Sequence, residues 1–239
     1  MTITSQHNEK LKTLRKLRQR RRDRERLGQF VAEGEDLLAA ADAAGWRPVE
    51  RFAVAGSGLP GTEVEEAVLR SVSELASGTR TLAIYTERWG ALPGSGVCVY
   101  LHGVSDPGNV GTVLRCAAAF GASCVALGPG SADPFGPKAV RASMGAIFSV
   151  PVVRATPAEL PGITLALDAG AEQTLTEVAA RLTPDDAVSL LVGAEREGLP
   201  ADILAGAVDS ARIPIASESL NAAIAAAIAL YELSNRSNS

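Results

Sequence analysis

The sequence predicts an α/β protein in which a parallel sheet fills most of the chain, behind a smaller N-terminal α/β unit. Short apolar runs alternate regularly with helical stretches beyond residue 96. Such continuous runs are typical of parallel strands that are buried on both faces. A Pro/Gly/Ser cluster at residues 92–96 separates this region from a less regular first unit. We therefore place the domains at residues 1–92 and 93–239.

The first unit begins with a basic segment, residues 9–26, in which Leu11, Leu14 and Leu17 recur at three-residue spacing. This spacing predicts one helix with a narrow apolar stripe and a cationic face, which suits either nucleic acid or plain solvation. A strand or turn is predicted at residues 29–32, an apolar segment lies at residues 49–54, and a strand is predicted at residues 82–85. Helices are predicted at residues 35–44 and 64–69.

In the second unit, strands are predicted at residues 97–104, 124–127, 148–153, 163–167, 188–192 and 211–215. Helices are predicted at residues 111–120, 137–144, 175–182, 200–205 and 218–233, and Ser217 or Ser219 is expected to cap the last one. Ligands bind outside the carboxyl ends of parallel strands. Function should therefore lie in the loops at residues 104–111, 128–137, 193–199 and 215–221.

Charge is unevenly distributed along the chain. The 239 residues carry a formal net charge of −4, which taken alone argues against a nucleic-acid partner. Residues 1–26, however, contain ten Lys and Arg against three acidic residues, a net charge of +7, which leaves −11 for the remainder. The first segment, which ends with a run that includes Arg20, Arg21 and Arg22, is the part of the chain whose charge would suit a nucleic-acid partner.

Several classes of protein are excluded or disfavoured. Cys98, Cys116 and Cys124 form no CxxC pair, and only His7 and His102 accompany them, so no zinc-ligand spacing exists. We expect free, mostly buried thiols in a reducing compartment and no metal. The basic N-terminus lacks a following apolar stretch, and the longest apolar run, residues 222–230, is far short of the roughly 20 residues that span a bilayer. A cytoplasmic location is expected.

The loops that follow the strands contain few phosphate-binding signals but several polar side chains. Neither GxGxxG nor GxxxxGK[ST] occurs, so a dinucleotide or triphosphate site is disfavoured. Arg115, about one turn into the predicted helix, suits either an anion contact or an ordinary surface position. Glu195 either orients a cation or substrate, or serves as an acid favoured by the dipole of the following helix.

Taken together, three motifs occur in a recognisable order. They are Asn109-Val110-Gly111 with Arg115, then Leu191-Val192-Gly193-Ala194-Glu195 with Gly198-Leu199, then Ile213-Pro214-Ile215 with Ser219-Leu220-Asn221. In this order and near this spacing, the chain resembles the SpoU/TrmH family of RNA ribose 2′-O-methyltransferases over about residues 97–232. The segment from Arg141 to Phe148 is similar to another part of that family. The N-terminal part looks like the family's substrate-binding domain, whose fold is akin to a ribosomal protein.

The resemblance implies a SPOUT fold with a C-terminal trefoil knot, S-adenosylmethionine as methyl donor, and a homodimer built through the knotted region. By the same resemblance Arg115 activates the ribose hydroxyl, either as a general base or as a guanidinium that stabilises the developing alkoxide. Asn109, Glu195, Ser219 and Asn221 complete the catalytic set. The expected cofactor contacts are Leu191, Gly193, Ala194, Ile213 and Leu220. Arg141 is a candidate second phosphate contact or a surface residue.

The third motif departs from the family pattern, because only three residues separate Ile215 from Ser219. This shortening lies where the adenine of the cofactor should bind. The leading hypothesis is a methyltransferase acting on 23S or other large-subunit ribosomal RNA, with tRNA as the alternative substrate. A second hypothesis is a non-catalytic RNA-binding or ribosome-assembly protein with a degenerate cofactor site. A small-molecule enzyme that uses a nucleotide has little support.

Overall fold

Two sheets organise the chain in the computed structural model, which describes residues 2–73, 78–216 and 219–235. The first sheet has four strands in the order β1-β4-β2-β3, and the second has six in the order β10-β8-β9-β5-β6-β7. All five pairings in the second sheet are parallel, so the predicted parallel sheet is confirmed. The described residues include no helix long and apolar enough to cross a membrane.

The first unit surrounds the mixed four-stranded sheet, in which β4 pairs antiparallel with β1 and β2 while β3 lies parallel to β2. Its elements are α1 (Glu9–Gln19), α2 (Arg21–Leu27), β1 (Gln29–Glu33), α3 (Glu35–Ala43), β2 (Glu50–Val54), β3 (Thr62–Val64), α4 (Glu66–Arg70) and β4 (Thr81–Thr86). The helix predicted at residues 64–69 starts later than expected, because Thr62–Val64 pairs with β2 as a strand.

The single basic helix predicted over residues 9–26 is wrong, since the chain is extended at Arg20 and two helices form. The leucine stripe is as predicted: Leu11, Leu14 and Leu17 are fully buried. The break lets α2 turn so that Arg24 Nη1 donates to the carbonyl oxygen of Leu17 over 2.7 Å. One of the carbonyls left unpaired at the end of α1 is thereby satisfied.

The second unit carries helices on both faces of the parallel sheet. Its elements are β5 (Val97–Leu101), α5 (Pro107–Ala119), β6 (Cys124–Leu127), α6 (Pro137–Ala142), β7 (Val152–Arg154), β8 (Ile163–Leu167), α7 (Leu175–Ala179), β9 (Val188–Val192), α8 (Ala201–Gly206), β10 (Asp209–Ala211) and α9 (Ala222–Ser234). Single 3₁₀ turns lie at Ala146–Phe148 and Pro157–Glu159. The cysteines are free, as predicted, with Cys98 and Cys124 buried side by side on β5 and β6.

Two predicted strands are shorter than expected because proline interrupts them. The strand predicted at residues 148–153 starts only at Val152, after the 3₁₀ turn and Pro151. The strand predicted at residues 211–215 ends at Ala211, since Pro214 lacks the N–H that a ladder requires. The early end of β10 lengthens the loop at the carboxyl edge of the sheet, whereas the late start of β7 lengthens the connection at the opposite edge.

An aromatic cluster joins the two units into one core. Phe30 on β1 packs against Phe135, with ring centroids 4.9 Å apart, and Tyr85 on β4 packs against Phe148 at 5.2 Å. The Trp46 indole N–H donates to the Phe148 carbonyl oxygen over 2.8 Å. These contacts fix the first unit beside the loop that follows β6. The predicted boundary between residues 92 and 93 stays a prediction.

Candidate active site

Three of the predicted catalytic side chains form one hydrogen-bonded chain at the carboxyl edge of the parallel sheet. The Asn109 amide N–H donates to Glu195 Oε1, and Asn221 Nδ2 donates to Asn109 Oδ1 over 3.0 Å. Asn109 lies in the first turn of α5, Glu195 follows β9, and Asn221 precedes α9. The structure thus joins all three motif loops through side chains that are far apart in sequence.

Asn221 also caps the last helix, so the capping role expected for Ser219 is wrong. Asn221 Oδ1 accepts hydrogen bonds from the backbone N–H groups of Ala223 and Ile224, over 2.9 and 3.2 Å. The predicted helix start at Glu218, like Ser217, lies outside the described residues. Because the same amide oxygen holds the helix start, the Nδ2 group is fixed toward Asn109.

Asp106 caps α5, whose first residue, Pro107, lies four residues before the predicted helix start at Gly111. The Asp106 carboxylate accepts from Gly108 N over 2.6 Å and from Lys138 Nζ over 2.8 Å. The Lys138 ammonium and the Gly108 N–H together lower the pKa of Asp106. Pro107 fits the first helical position, which needs no N–H. This cap places Asn109 within the first turn, where it reaches Glu195.

Close packing of α5 against α6 depends on Gly111. A Cβ at this position would lie 2.3 Å from the carbonyl oxygen of Ala139 and 3.0 Å from the backbone nitrogen of Ser143. Only glycine allows this approach without displacing backbone. Arg115 lies one turn further along the same face of α5. Arg141 lies in the last turn of α6 and is partly buried.

A cavity of about 130 Å³ adjoins the hydrogen-bonded chain. Four of the five predicted cofactor contacts line it, namely Gly193, Ala194, Ile213 and Leu220, together with Glu195 and Ser219. The fifth, Leu191, does not line the cavity, because it lies within β9 and is buried in a separate apolar cluster with Cys98 and Ala126. The cavity is thus a slot lined mainly by apolar side chains, with a few polar groups among them.

Gly193 shapes this slot. A Cβ there would lie 2.2–2.4 Å from backbone atoms of Gly198 and Leu199, so any side chain would push the loop apart. The loop closes on itself through the Gly198 N–H, which donates to the Ala194 carbonyl oxygen over 2.9 Å. The tight turn leaves backbone groups, rather than long side chains, along the slot.

Arg115 is exposed and has no hydrogen bond or ion pair among the residues that the structure describes. Asn109 and Glu195 bond to each other, and neither is hydrogen-bonded to Arg115 among the described residues. A free guanidinium on α5, the helix that carries Asn109, can bind an anionic group from outside the chain.

The predicted RNA contacts Arg20, Arg21 and Arg22 are all exposed around the break between α1 and α2. Arg21 pairs with Glu25 over 2.8 Å, while Arg20 and Arg22 have no ion pair within the described ranges. Two other members of the basic segment are unavailable to a ligand. Arg18 is buried against Glu33, and Arg24 is buried against Asp133.

Asp168 is a site residue that the sequence reasoning missed. It follows β8 directly and lines the same cavity as Gly193 and Ile213. Its position after a parallel strand was the available signal, because carboxylates at such ends commonly accept from ribose hydroxyls. Within the described part of the chain, no group of three or more His, Cys, Asp or Glu is arranged to hold a metal ion.

Comparison with known proteins identifies two family matches. Residues 96–231 match the SpoU rRNA Methylase family, and residues 8–83 match the MRM3-like substrate binding domain. Among curated relatives, the 23S rRNA (guanosine(2553)-2′-O)-methyltransferase RlmP of Bacillus subtilis is 29% identical, over 97% of this chain and 98% of its own length. An uncharacterized tRNA/rRNA methyltransferase of Synechocystis is 31% identical over 97% of this chain and 92% of its own.

A solved structure extends the similarity to the full fold. The AdoMet-bound rRNA methyltransferase from Sinorhizobium meliloti superposes with a TM-score of 0.86 at 30% identity. The match covers 99% of this chain and 97% of that one. Both sheets of the present chain therefore have counterparts in one solved protein.

Proposed function

Since the chain belongs to the SpoU rRNA methylase family, we propose that it transfers a methyl group from S-adenosylmethionine to a ribose 2′-hydroxyl of ribosomal RNA, with 23S rRNA as the preferred substrate. The observation that carries the proposal is the hydrogen-bonded chain Glu195–Asn109–Asn221 beside the apolar cavity. It brings the three motif loops together where a donor and a nucleophile would meet.

The residues at the cavity fit the adenine part of S-adenosylmethionine. Backbone groups of Gly193 and Ala194 and the side chains of Ile213 and Leu220 would hold the ring, and Asp168 would accept from ribose hydroxyls. A volume of about 130 Å³ is below the roughly 300 Å³ at which drug-sized pockets begin. The remainder of the cofactor would therefore lie along the rim, near Ser219 and Glu195.

Once bound, the donor supplies an electrophilic methyl group on a sulfonium. The difficulty left to the protein is the ribose hydroxyl, a weak nucleophile that must be oriented and must lose its proton. Arg115 acts on this group. A guanidinium stays protonated at ordinary pH, so the better-supported role is to hold the RNA phosphate and stabilise the developing alkoxide. Asn109, held between Glu195 and Asn221, positions the start of the helix that carries Arg115.

The first unit serves as the RNA-binding domain in this proposal, with residues 1–92 acting on substrate and residues 93–239 on catalysis. Its support is the match of residues 8–83 to a substrate binding domain. Arg20, Arg21 and Arg22 are exposed and supply the first phosphate contacts, with Arg141 as a further one. An rRNA substrate agrees with the expected cytoplasmic location.

A homodimer and a trefoil knot, both implied by the family resemblance, are part of the proposal. Support for the dimer comes from α9, where Ile224, Ile228 and Tyr231 are 52%, 39% and 58% exposed. Their spacing places these apolar side chains on one face. Since α9 packs against α5, a second subunit covering this face would also approach Arg115.

A transfer assay tests the proposal. The full chain is incubated with labelled S-adenosylmethionine and unmodified transcripts of 23S rRNA, 16S rRNA and tRNA, with Arg115→Ala as the matched control. We expect label in 23S rRNA with the wild type and none with the variant. Label in tRNA alone would mean that the substrate is tRNA rather than rRNA. Absence of label in every RNA, with cofactor binding intact, would contradict the proposal and favour an RNA-binding or assembly protein.

A further inference from the structure

A second, larger cleft lies between the two units and shares no lining residue with the catalytic cavity, the one that Gly193 and Ile213 line. Its volume is about 490 Å³. It is lined by α2, by the segment after β4, by the loop at residues 128–134 and by the end of β7. The cleft thus lies at the carboxyl ends of β6 and β7, the edge at which parallel sheets bind ligands.

The cleft is connected to the catalytic cavity along this edge. A third pocket shares Pro129 and Gly130 with the cleft, and Ala194 and Gly198 with the cavity. A single extended strand can therefore contact both. A compact small molecule would occupy only one of the two sites.

Trp89 and Arg154 form a stacked pair on the wall of the cleft. The Arg154 guanidinium carbon lies 4.0 Å from the centroid of the Trp89 ring, and Phe135 packs edge-on against the same ring at 5.2 Å. Arg154 is exposed and makes no hydrogen bond or ion pair within the described part of the chain. Stacking holds the guanidinium plane in place while its N–H donors stay available.

Glu87 places an acceptor beside these donors. Its Oε2 accepts from the Trp89 indole N–H over 3.1 Å, while Oε1 accepts no hydrogen bond among the described residues. Burial raises the pKa of Glu87. Asp133 has both carboxylate oxygens engaged, by Arg24 and by the Phe135 N–H, and Glu25 pairs with Arg21. Glu87 adjoins the Trp89–Arg154 pair, so its Oε1 can accept from a ligand that Arg154 binds.

Free cationic donors next to one free acceptor match a nucleotide better than a bare phosphate. The phosphate would bind the arginine, and a base N–H or ribose hydroxyl would donate to the carboxylate. We propose that this cleft binds one nucleotide of the RNA strand whose ribose enters the catalytic site, with Arg154 on its phosphate and Glu87 Oε1 on its base or sugar. The inference rests on the proposed function for the identity of the strand.

The test compares RNA binding by Arg154→Gln with that by Arg181→Gln. Arg181 is a suitable control because it is an exposed arginine of the same unit that pairs with Asp209, away from the cleft. Affinity for a 23S rRNA transcript is measured without cofactor, and S-adenosylmethionine binding separately by calorimetry. We expect Arg154→Gln to weaken RNA binding about 10-fold, Arg181→Gln to change it less than twofold, and cofactor affinity to stay constant.

Equal effects of the two variants, or none from Arg154→Gln, would overturn the proposal. Trp89→Phe provides a second measurement. The difference in tryptophan fluorescence between the wild type and this variant is the signal of Trp89, which lies in the cleft. Quenching of this signal by a mononucleotide, without any RNA effect of Arg154→Gln, would mean a free-nucleotide site and would also overturn it. If the wild type transfers no methyl group but Arg154→Gln still weakens RNA binding, the proposed function fails and the RNA-binding role of the cleft stands.

Discussion

Asn109→Asp tests the hydrogen-bonded chain most sharply, because it keeps the shape of the side chain and reverses its chemistry. The wild-type amide donates an N–H to Glu195 Oε1. The variant places a second carboxylate oxygen at that contact. At a separation of about 3 Å, two unit charges repel by about 1 kcal/mol in water and about 5 kcal/mol at an effective dielectric constant of 20.

Protonation limits this penalty. A carboxyl with an ordinary pKa near 4 can take up a proton at pH 7 for about 4 kcal/mol, and for about 2 kcal/mol at pH 5.5. One pKa of the pair is therefore raised, and the defect is largest at high pH and shrinks as pH falls. We expect kcat/KM for methyl transfer to fall at least about 10-fold at pH 8, with partial recovery at pH 5.5.

Asn109→Ala is the matched control, since it removes both hydrogen bonds without adding charge. Its defect should not depend on pH. Thermal denaturation at both pH values gives a readout that needs no catalysis, and Asn109→Asp should lose stability relative to Asn109→Ala as the pH rises. Equal pH profiles for the two variants would refute the close approach of Asn109 and Glu195.

Three further predictions address the cofactor slot, the basic segment and the cap of α5. Gly193→Ala should reduce S-adenosylmethionine affinity at least about 10-fold and cost about 1–3 kcal/mol of stability, because its Cβ overlaps the backbone of Gly198 and Leu199; unchanged calorimetric affinity would argue against the slot. Neutralising the exposed arginines Arg20, Arg21 and Arg22 should lower the slope of log affinity for RNA against log salt concentration by about 2. An unchanged slope would mean that these arginines do not contact phosphate and serve only to keep the protein soluble. Asp106→Ala should cost about 1 kcal/mol at pH 7. Since the pKa of Asp106 is lowered in the folded state, this stabilisation is present above the ordinary aspartate pKa and is lost as pH falls through the lowered value. A difference from wild type that does not shrink as the pH falls below about 4 would contradict this account.

Much of the fold follows from local pattern. The apolar runs at Ile163–Leu167 and Val188–Val192 form adjacent parallel strands. Such continuous runs are stable when both faces of the strand are buried, as they are in a parallel sheet. Strand ends near proline were less predictable, since Pro151 and Pro214 act through missing N–H groups rather than through hydropathy. The start of α5 was missed although Asp106-Pro107 is a standard cap signal, because the apolar periodicity begins only later.

The site was predictable only in part, for a physical reason. The order of the motifs predicted that Asn109, Glu195 and Asn221 belong to one site, and the structure joins them by hydrogen bonds. The uneven charge of the first segment did not reveal that Arg18 and Arg24 are buried in ion pairs. A count of charges does not show whether a side chain faces the core or the solvent. Trp89, Arg154 and Asp168 lack a motif altogether, and only their placement at strand ends relates them to ligand binding.

The position of the transferred methyl group tests the central claim most directly. After reaction of 23S rRNA with the wild-type chain and isotopically labelled S-adenosylmethionine, the RNA is digested to nucleosides and analysed by mass spectrometry. We expect the label on the ribose of one nucleotide, as a 2′-O-methyl group, and none with Arg115→Ala. Label on a base, or undiminished ribose labelling by Arg115→Ala, would contradict the account.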